Sequence, residues 1–291
     1  MDLNGDGHKD ILSGSYSRMK GGMAGLFQVL WGQQGGGFKT ATALNGTDDK
    51  PLIIPIEERR YQTENICTRP TAVDWDADGD LDLIVGNFAG SFYIFLGEGG
   101  GKFSPEPELL KSENNQPLKI AGAHSDPFVI DWDGDGDLDL LSGSSKGGVQ
   151  WAENHARKGQ KRPVLRGFKT LISPGQQIVR GTFLSEDELK GPARSTRIWV
   201  DDVNADGKLD ILVGDRVALA SPAKGLTKAE AKARKAKWQK ELQVAATAMR
   251  DSKADAQQRL KATKRYSELI LHRNDFVIED RTGFVWLYLQ K

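Results

Sequence analysis

Four nine-residue segments place side-chain oxygens at alternate positions and a glycine at the sixth position. They span residues 2–10, 74–82, 131–139 and 202–210, and each fits the pattern D-x-[DN]-x-D-G-x-x-D. The two central segments hold five Asp each, whereas each outer segment holds three Asp and one Asn. Carboxylates this close together repel one another unless a cation offsets their charge. The pattern therefore predicts a cation-binding loop in each segment.

The residue types and their spacing favour calcium, a hard cation that takes about six to eight oxygen ligands. Oxygens at positions 1, 3 and 5 converge as the loop curls, and glycine at position 6 permits the sharp turn. Position 7 is expected to offer its backbone carbonyl, and the Asp at position 9 completes the ligand set. We expect about four ions, with tighter binding in the two central loops. Taken at positions 1, 3, 5, 7 and 9, the predicted metal-binding residues are Asp2, Asn4, Asp6, His8, Asp10, Asp74, Asp76, Asp78, Asp80, Asp82, Asp131, Asp133, Asp135, Asp137, Asp139, Asp202, Asn204, Asp206, Lys208 and Asp210.

The loops differ from the helix-loop-helix calcium motif, which closes its ligand set with a Glu at position 12 on a following helix. Here position 12 is Ser13, Val85, Ser142 or Val213, and none of these offers a carboxylate. Each loop is followed instead by a short apolar run of β-type residues that ends at glycine. The loops are therefore predicted to lie inside β-hairpins.

The segments around the loops repeat as well, with loop starts 72, 57 and 71 residues apart. A β-rich run precedes each complete loop, a Gly-ended strand follows it, and a third, aromatic strand comes after a glycine turn. A fourth strand is predicted at residues 38–44, 103–110 and 164–172. Four antiparallel strands per repeat are typical of a propeller blade, which buries one face by stacking on the next blade. The predicted fold is an all-β propeller of four-stranded antiparallel blades in a single domain, 1–291.

The stretch D-x-D-x-D-G-x-x-D-[IL]-[LI]-x-G resembles the FG-GAP or VCBS repeat family, the calcium-loop propellers also found in the head of integrin α chains. The resemblance covers most of the chain outside about 223–273, although literal Phe-Gly and Gly-Ala-Pro pairs are not evident. It implies calcium as a structural ion, and adhesion or ligand binding on the loop faces. Family propellers commonly have more blades than the four repeats visible here. The four units therefore either close on themselves or belong to a larger propeller.

Residues 223–273 interrupt the repeats with a run rich in Ala, Lys, Arg, Glu and Gln, which are strong helix formers. Thr227 and Glu230 form a predicted capping box, and Ser252 is a predicted cap for a second helix. The interpretation is a helical hairpin inserted between the second and third strands of the last blade. Residues 224–265 hold 13 Lys plus Arg against 4 Asp plus Glu, a net charge of +9. This charge suits an anionic partner such as an acidic polysaccharide, and the alternative is a solvated helix pair.

Composition excludes several other classes of protein. The formal net charge is zero, and aromatic residues are not interleaved with the basic ones, so nucleic-acid binding is not expected. No apolar run approaches the ~20 residues that span a bilayer. The single cysteine, Cys67, permits no intrachain disulfide and no Cys-cluster zinc site. Calcium loops of extracellular modules bind at ~10⁻⁴–10⁻³ M, which predicts an extracytoplasmic location, with any export signal upstream of Met1.

Four further residues enter successive repeats at similar positions: Arg69, His124, Asp126 and Arg197. They are predicted either to line a shared ligand-binding pocket or to cap strand ends and pair with carboxylates. We prefer a non-catalytic module that binds a protein or glycan. The alternative is a calcium-dependent lyase or hydrolase of an acidic polysaccharide, with His124 as base and Tyr61, near Arg59 and Arg60, as a second catalytic candidate.

Overall fold

The computed structural model describes residues 1–16, 26–55, 64–156, 162–178 and 181–291. The chain divides into two compact units. The first comprises residues 1–175, 191–216 and 284–291, and the second comprises residues 176–190 and 217–283. All four acidic loops belong to the first unit, whereas the basic segment of the sequence belongs to the second.

The first unit contains one antiparallel sheet for each acidic loop. The first sheet has three described strands, β1 (Ile11–Ser13), β2 (Gln28–Leu30) and β3 (Thr42–Ala43). The second sheet has four, β4 (Arg69–Val73), β5 (Asp82–Gly86), β6 (Phe92–Phe95) and β7 (Glu108–Leu109). The third also has four, β8 (Asp126–Ile130), β9 (Asp139–Gly143), β10 (Val149–Ala152) and β11 (Lys169–Ile172). The fourth consists of β12 (Arg197–Asp201), β13 (Asp210–Gly214) and β16 (Val285–Tyr288).

Each complete acidic loop joins the first strand of its sheet to the second. In all three cases the register brings the start of the first strand opposite the glycine that ends the second: Arg69 to Gly86, Asp126 to Gly143 and Arg197 to Gly214. The loops therefore lie at one end of their hairpins, and the predicted ligand-binding residues lie at the other end.

Apolar side chains of successive sheets pack together in three clusters within the described part of the first unit. Because strand residues alternate between faces, neighbours on one strand belong to different clusters. Leu83 packs with Val29 of the first sheet, whereas Ile84 packs with Leu140 of the third sheet. Leu141 packs with Ile211 of the fourth sheet. Each middle sheet is thus covered on both faces, as stacked blades require.

The second unit is a two-stranded ribbon that carries two helices. The ribbon pairs β14 (Val217–Pro222) with β15 (Val277–Thr282), and the helices are α1 (Lys228–Arg250) and α2 (Ala256–Leu271). The second unit extends on both sides beyond the insertion predicted at 223–273. The capping box of Thr227 and Glu230 is present at the start of α1. The second helix is capped by Asp255 with Gln258 instead of by the predicted Ser252.

The two helices are held together by a small apolar contact surface. Ala245 of α1 and Ala262 and Leu269 of α2 are buried, whereas the buried Ala231 of α1 clusters with Ala220 and Val277 of the ribbon. The indole Nε1 of Trp238 donates a hydrogen bond to the backbone oxygen of Leu269 at 2.7 Å. Neither helix in the described part of the chain combines the length and apolar character needed to cross a membrane.

The predicted all-β architecture of antiparallel sheets with two helices is present, but the described residues form no closed ring of blades. Two sheets have the predicted four strands, whereas the described first and last sheets have three. The exposed apolar side chains of the first and last sheets, including Ile11 and Leu287, mark faces that no other described sheet covers.

Candidate metal centres

The Asp at position 1 holds the turn of every loop through backbone hydrogen bonds. Its Oδ2 accepts the N–H of the glycine at position 6, at 2.8 to 3.1 Å in the four loops. Its Oδ1 accepts the N–H of position 5 in the first, second and fourth loops. In the third loop, Oδ1 accepts the N–H of position 4 instead. The side chain of position 1 thus bends the loop back on itself before any ion binds.

The residues at positions 3 and 5 face the same concave side of the turn. The Oδ1 of position 5 accepts the N–H of position 7 in all four loops, at 2.9 to 3.0 Å. In the outer loops the Asn at position 3 bonds to position 5: Asn4 donates to Asp6 Oδ2 and Asn204 to Asp206 Oδ2, each at 3.1 Å. These bonds, led by the N–H of His8, lower the pKa of the Asp6 carboxyl.

Position 9 is the buried position of the loop. Asp10, Asp82, Asp139 and Asp210 are each at most 5% exposed. Their Oδ2 atoms accept the N–H of position 2 at 2.8 to 3.2 Å. Their Oδ1 atoms accept the N–H of a residue just after the third strand of the repeat, which is β2 in the first sheet and β6, β10 and β16 in the others. These residues are Gly32, Gly97, Asn154 and Gln290. The position-9 carboxylate therefore ties the loop to the third strand of its sheet.

The two central loops bring three carboxylates together. Oxygens of Asp74, Asp76 and Asp78 lie within 4.8 Å of one another, as do those of Asp131, Asp133 and Asp139. In the second loop, Asp76 Oδ1 is buried and has no hydrogen-bond partner among the described residues. A buried carboxylate oxygen without a partner is costly. A cation bound in this loop would remove that cost.

Burial is the main cause of raised pKa values for three carboxyls of the central loops. Burial raises the pKa of Asp139 to about 6, against the opposing effect of its backbone hydrogen bonds. Burial and then the charge of Asp135 raise the pKa of Asp133. Burial also raises the pKa of Asp82. Each of these groups is harder to ionise than a free Asp, and a bound divalent cation would favour the ionised form.

The donor set fits a hard divalent cation. Carboxylate, amide and backbone oxygens are the ligands of calcium, and their clustering on one concave turn suits its flexible coordination. Position 7 contributes through its backbone in this interpretation, so the side chains of His8 and Lys208 are not required. The outer loops offer an Asn where the central loops offer an Asp at position 3, and so carry less charge.

Position 4 has a backbone requirement that the pattern of oxygens did not predict. The residue at this position has a positive φ in all four loops. It is Gly5 in the first loop, Ala77 in the second, Gly134 in the third and Ala205 in the fourth. Ala77 at φ 56° and Ala205 at φ 59° hold a left-handed conformation that disfavours side chains. The backbone hydrogen bonds that Asp74 and Asp202 accept hold the turn in this conformation.

The structure brings together the predicted ligand-binding residues at the opposite end of the hairpins, where they contact one another. Arg69 Nη1 donates to the backbone oxygen of His124 at 2.7 Å, and Arg69 Nη2 lies 3.4 Å from His124 Nδ1. Arg197 Nη1 lies 2.8 Å from Asp126 Oδ1, and Arg69 Nε lies 3.8 Å from the same atom. Asp126 thus joins the first strands of three sheets.

Burial and the positive charges of the two guanidinium groups shift the pKa values of three residues in this cluster. Burial, and then the charge of Arg197, lower the pKa of Arg69 to about 10. Burial and then Arg69 lower the pKa of His124, whose ring packs on Phe88. Burial raises the pKa of Asp126 although both Arg side chains oppose the shift. Arg197, with about half of its side chain exposed, is the member most open to a ligand.

Sheets in series, each with an acidic hairpin loop clamped to the third strand of its repeat, define a class of acidic-loop β-repeat proteins. The model of the FG-GAP-like repeat family matches residues 74–142 and 131–213. The chain therefore contains FG-GAP-like repeats over residues 74–213, where the resemblance inferred from the loops is confirmed. No curated protein matches the sequence significantly.

Sequence reasoning assigned the position-9 Asp a place in the ligand set but missed its bonds to the third strand. The signal was its invariant place immediately before the apolar run, where a buried carboxylate needs backbone donors. Tyr61, Arg59 and Arg60, named for the lyase alternative, lie outside the described residues.

Proposed function

We propose that this chain is a calcium-binding, non-catalytic FG-GAP module in which the ions stabilise the hairpin loops of stacked propeller-type blades. The observation that carries the proposal is the shared turn of the four loops, with its converging oxygens and the unpartnered Asp76 Oδ1. Calcium would be held by positions 1, 3, 5, 7 and 9 of each loop, where it would supply positive charge to crowded carboxylates. The chain's own contribution is to curl each loop and fix it to the third strand.

The proposal includes an extracytoplasmic location. The loops present few buried ligands and stand partly exposed, as in extracellular modules that bind calcium at ~10⁻⁴–10⁻³ M. Calcium is abundant outside the cytosol, so the loops would stay loaded there. Bound ions then take the stabilising role that disulfides have in many exported domains.

Calcium is expected to raise the unfolding temperature. At a free concentration 100 times Kd, each occupied site contributes about 2.7 kcal/mol. Two occupied central loops would then raise the melting temperature by roughly 10–20 °C. Differential scanning calorimetry in calcium, in equimolar magnesium and in chelator measures the shift. Equal melting temperatures in all three solutions would refute the proposed role of calcium.

The partner is proposed to be an anionic protein or glycan that binds the second unit. The basic residues of α1 and α2 are largely exposed, and residues 224–265 carry a net charge of +9. The positive potential around these residues attracts polyanions, and dissolved salt screens this attraction. Chromatography on an immobilised acidic polysaccharide is expected to show retention at low salt that high salt abolishes. Passage through the column at low salt would contradict this assignment.

The lyase alternative receives no specific support from the described residues. His124, its candidate base, lies against Arg69 and Phe88, and Tyr61 is outside the described residues. The Arg side chains around His124 bond to backbone oxygens and to Asp126. We therefore propose a binding role and leave the lyase reaction as the alternative prediction.

A further inference from the structure

The exposed apolar face of the last sheet has the residue pattern of faces that are buried elsewhere in the first unit. Residues that lie directly opposite one another on neighbouring strands form a row on one face of each sheet. These rows are Thr71, Ile84 and Ile94 in the second sheet, Phe128, Leu141 and Trp151 in the third, and Trp199, Leu212 and Leu287 in the fourth. We call the face that carries this row the following face, because in the second and third sheets it packs on the next sheet.

The exposure of equivalent residues shows that the last following face is uncovered. Ile94 of the second sheet is 3% exposed, whereas its equivalent Leu287 is 50% exposed. Trp199 is 59% exposed, although its equivalent Phe128 packs in the third cluster. Val285 and Leu289, two residues either side of Leu287, share its face and are 71% and 50% exposed. A contiguous apolar patch of this kind marks an interaction surface.

The first sheet has the complementary uncovered face. In the second sheet, Leu83 lies opposite Phe95 on the face toward the first sheet, and both are fully buried. We call this the preceding face. The equivalent pair in the first sheet is Ile11 opposite Leu30, and Ile11 is 47% exposed. Among its described residues the chain thus presents one exposed following face and one exposed preceding face, the two halves of the contact that recurs inside it.

We propose that a second copy of this chain covers the last sheet, with its first sheet packed on the row of Trp199, Leu212 and Leu287. The contact would continue the packing already present between successive sheets of one chain. It joins two different surfaces, so it is heterologous, and repetition gives a ring or an open series.

Sedimentation velocity over a wide concentration range, in saturating calcium, tests this contact. The wild-type mass is expected to rise with concentration. Leu287→Lys on the following face and Ile11→Lys on the preceding face should each weaken association at least about tenfold. Leu271→Lys is the matched control, because Leu271 is 78% exposed but lies on α2 in the second unit. It should associate like the wild type, and circular dichroism should show all variants folded.

Mixing the two interface variants separates a heterologous contact from a symmetric one. The Leu287→Lys chain keeps an intact preceding face, and the Ile11→Lys chain keeps an intact following face. Their mixture should form a one-to-one complex that grows no further, although each variant alone is monomeric. A monomeric wild type at all concentrations would overturn the proposal. So would association lost with Leu287→Lys but kept with Ile11→Lys, which would mean that the last face pairs with itself.

Discussion

Replacing Asp139 by alanine is expected to destabilise the calcium-free first unit by about 2–5 kcal/mol. The carboxylate is 1% exposed and accepts hydrogen bonds from the backbone N–H groups of Trp132 and Asn154, at 3.1 and 2.7 Å. Alanine leaves both donors without that acceptor and detaches the loop from the third strand. Urea unfolding in chelator, followed by tryptophan fluorescence, measures the loss.

Asp139→Asn is the matched variant for this experiment. The asparagine amide keeps the shape of the carboxyl group and one of its two oxygen acceptors. It also removes the cost of burying a negative charge, a cost that raises the pKa of the Asp139 carboxyl to about 6. Its destabilisation should therefore be smaller than that of Asp139→Ala. If alanine changed the free energy of unfolding by less than about 0.5 kcal/mol, the role of position 9 as a clamp would be wrong.

Replacing Asp133 by alanine is expected to have the opposite profile, with loss of calcium affinity and no loss of calcium-free stability. Asp133 Oδ1 accepts one long hydrogen bond, from the N–H of Asp135 at 3.3 Å, and its side chain is exposed. The charges of Asp135 and Asp131 disfavour its ionised form. Its removal relieves repulsion in the empty loop but deletes a proposed ligand, so affinity at this loop should fall at least about tenfold.

Glu106→Ala provides the control for the change in net charge. Glu106 is exposed and lies outside the loops, so the variant should match the wild type in calcium affinity and stability. Calorimetric titration and urea unfolding in chelator give the two quantities for each variant. A calcium-free Asp133→Ala protein destabilised by more than about 1 kcal/mol, with calcium affinity unchanged, would make this carboxylate a structural turn residue.

Local patterns predicted the loops and the order of the strands, because each depends on residues close in sequence. The spacing of Asp and Gly predicted the turn, and the short apolar runs that end at glycine predicted strands such as β5 and β9. The capping box at Thr227 was also predictable, since Thr and Glu three residues apart satisfy each other's backbone donors. The second helix began later than expected because Asp255 with Gln258 forms a reciprocal cap that Ser252 lacks.

Features that depend on distant residues could not be predicted from the sequence. The partner of Asp139 on the third strand, Asn154, is identified only by the register of β9 and β10. Arg69 and Arg197 were predicted either to line a shared pocket or to pair with loop carboxylates. Their pairing with Asp126, which lies outside the loops, depends on the stacking of three sheets. Closure of the blades also depends on stacking angles, which no short pattern encodes.

The central claim is that the four acidic loops are calcium sites, and isothermal titration calorimetry of the chelator-treated protein tests it most directly. We predict about four bound ions per chain, with the two five-Asp loops binding more tightly than the two outer loops. Magnesium should compete weakly, because it demands a smaller and more regular set of ligands. Absence of bound calcium at free concentrations of about 1 mM would contradict the account, and the loops would then be acidic turns without an ion.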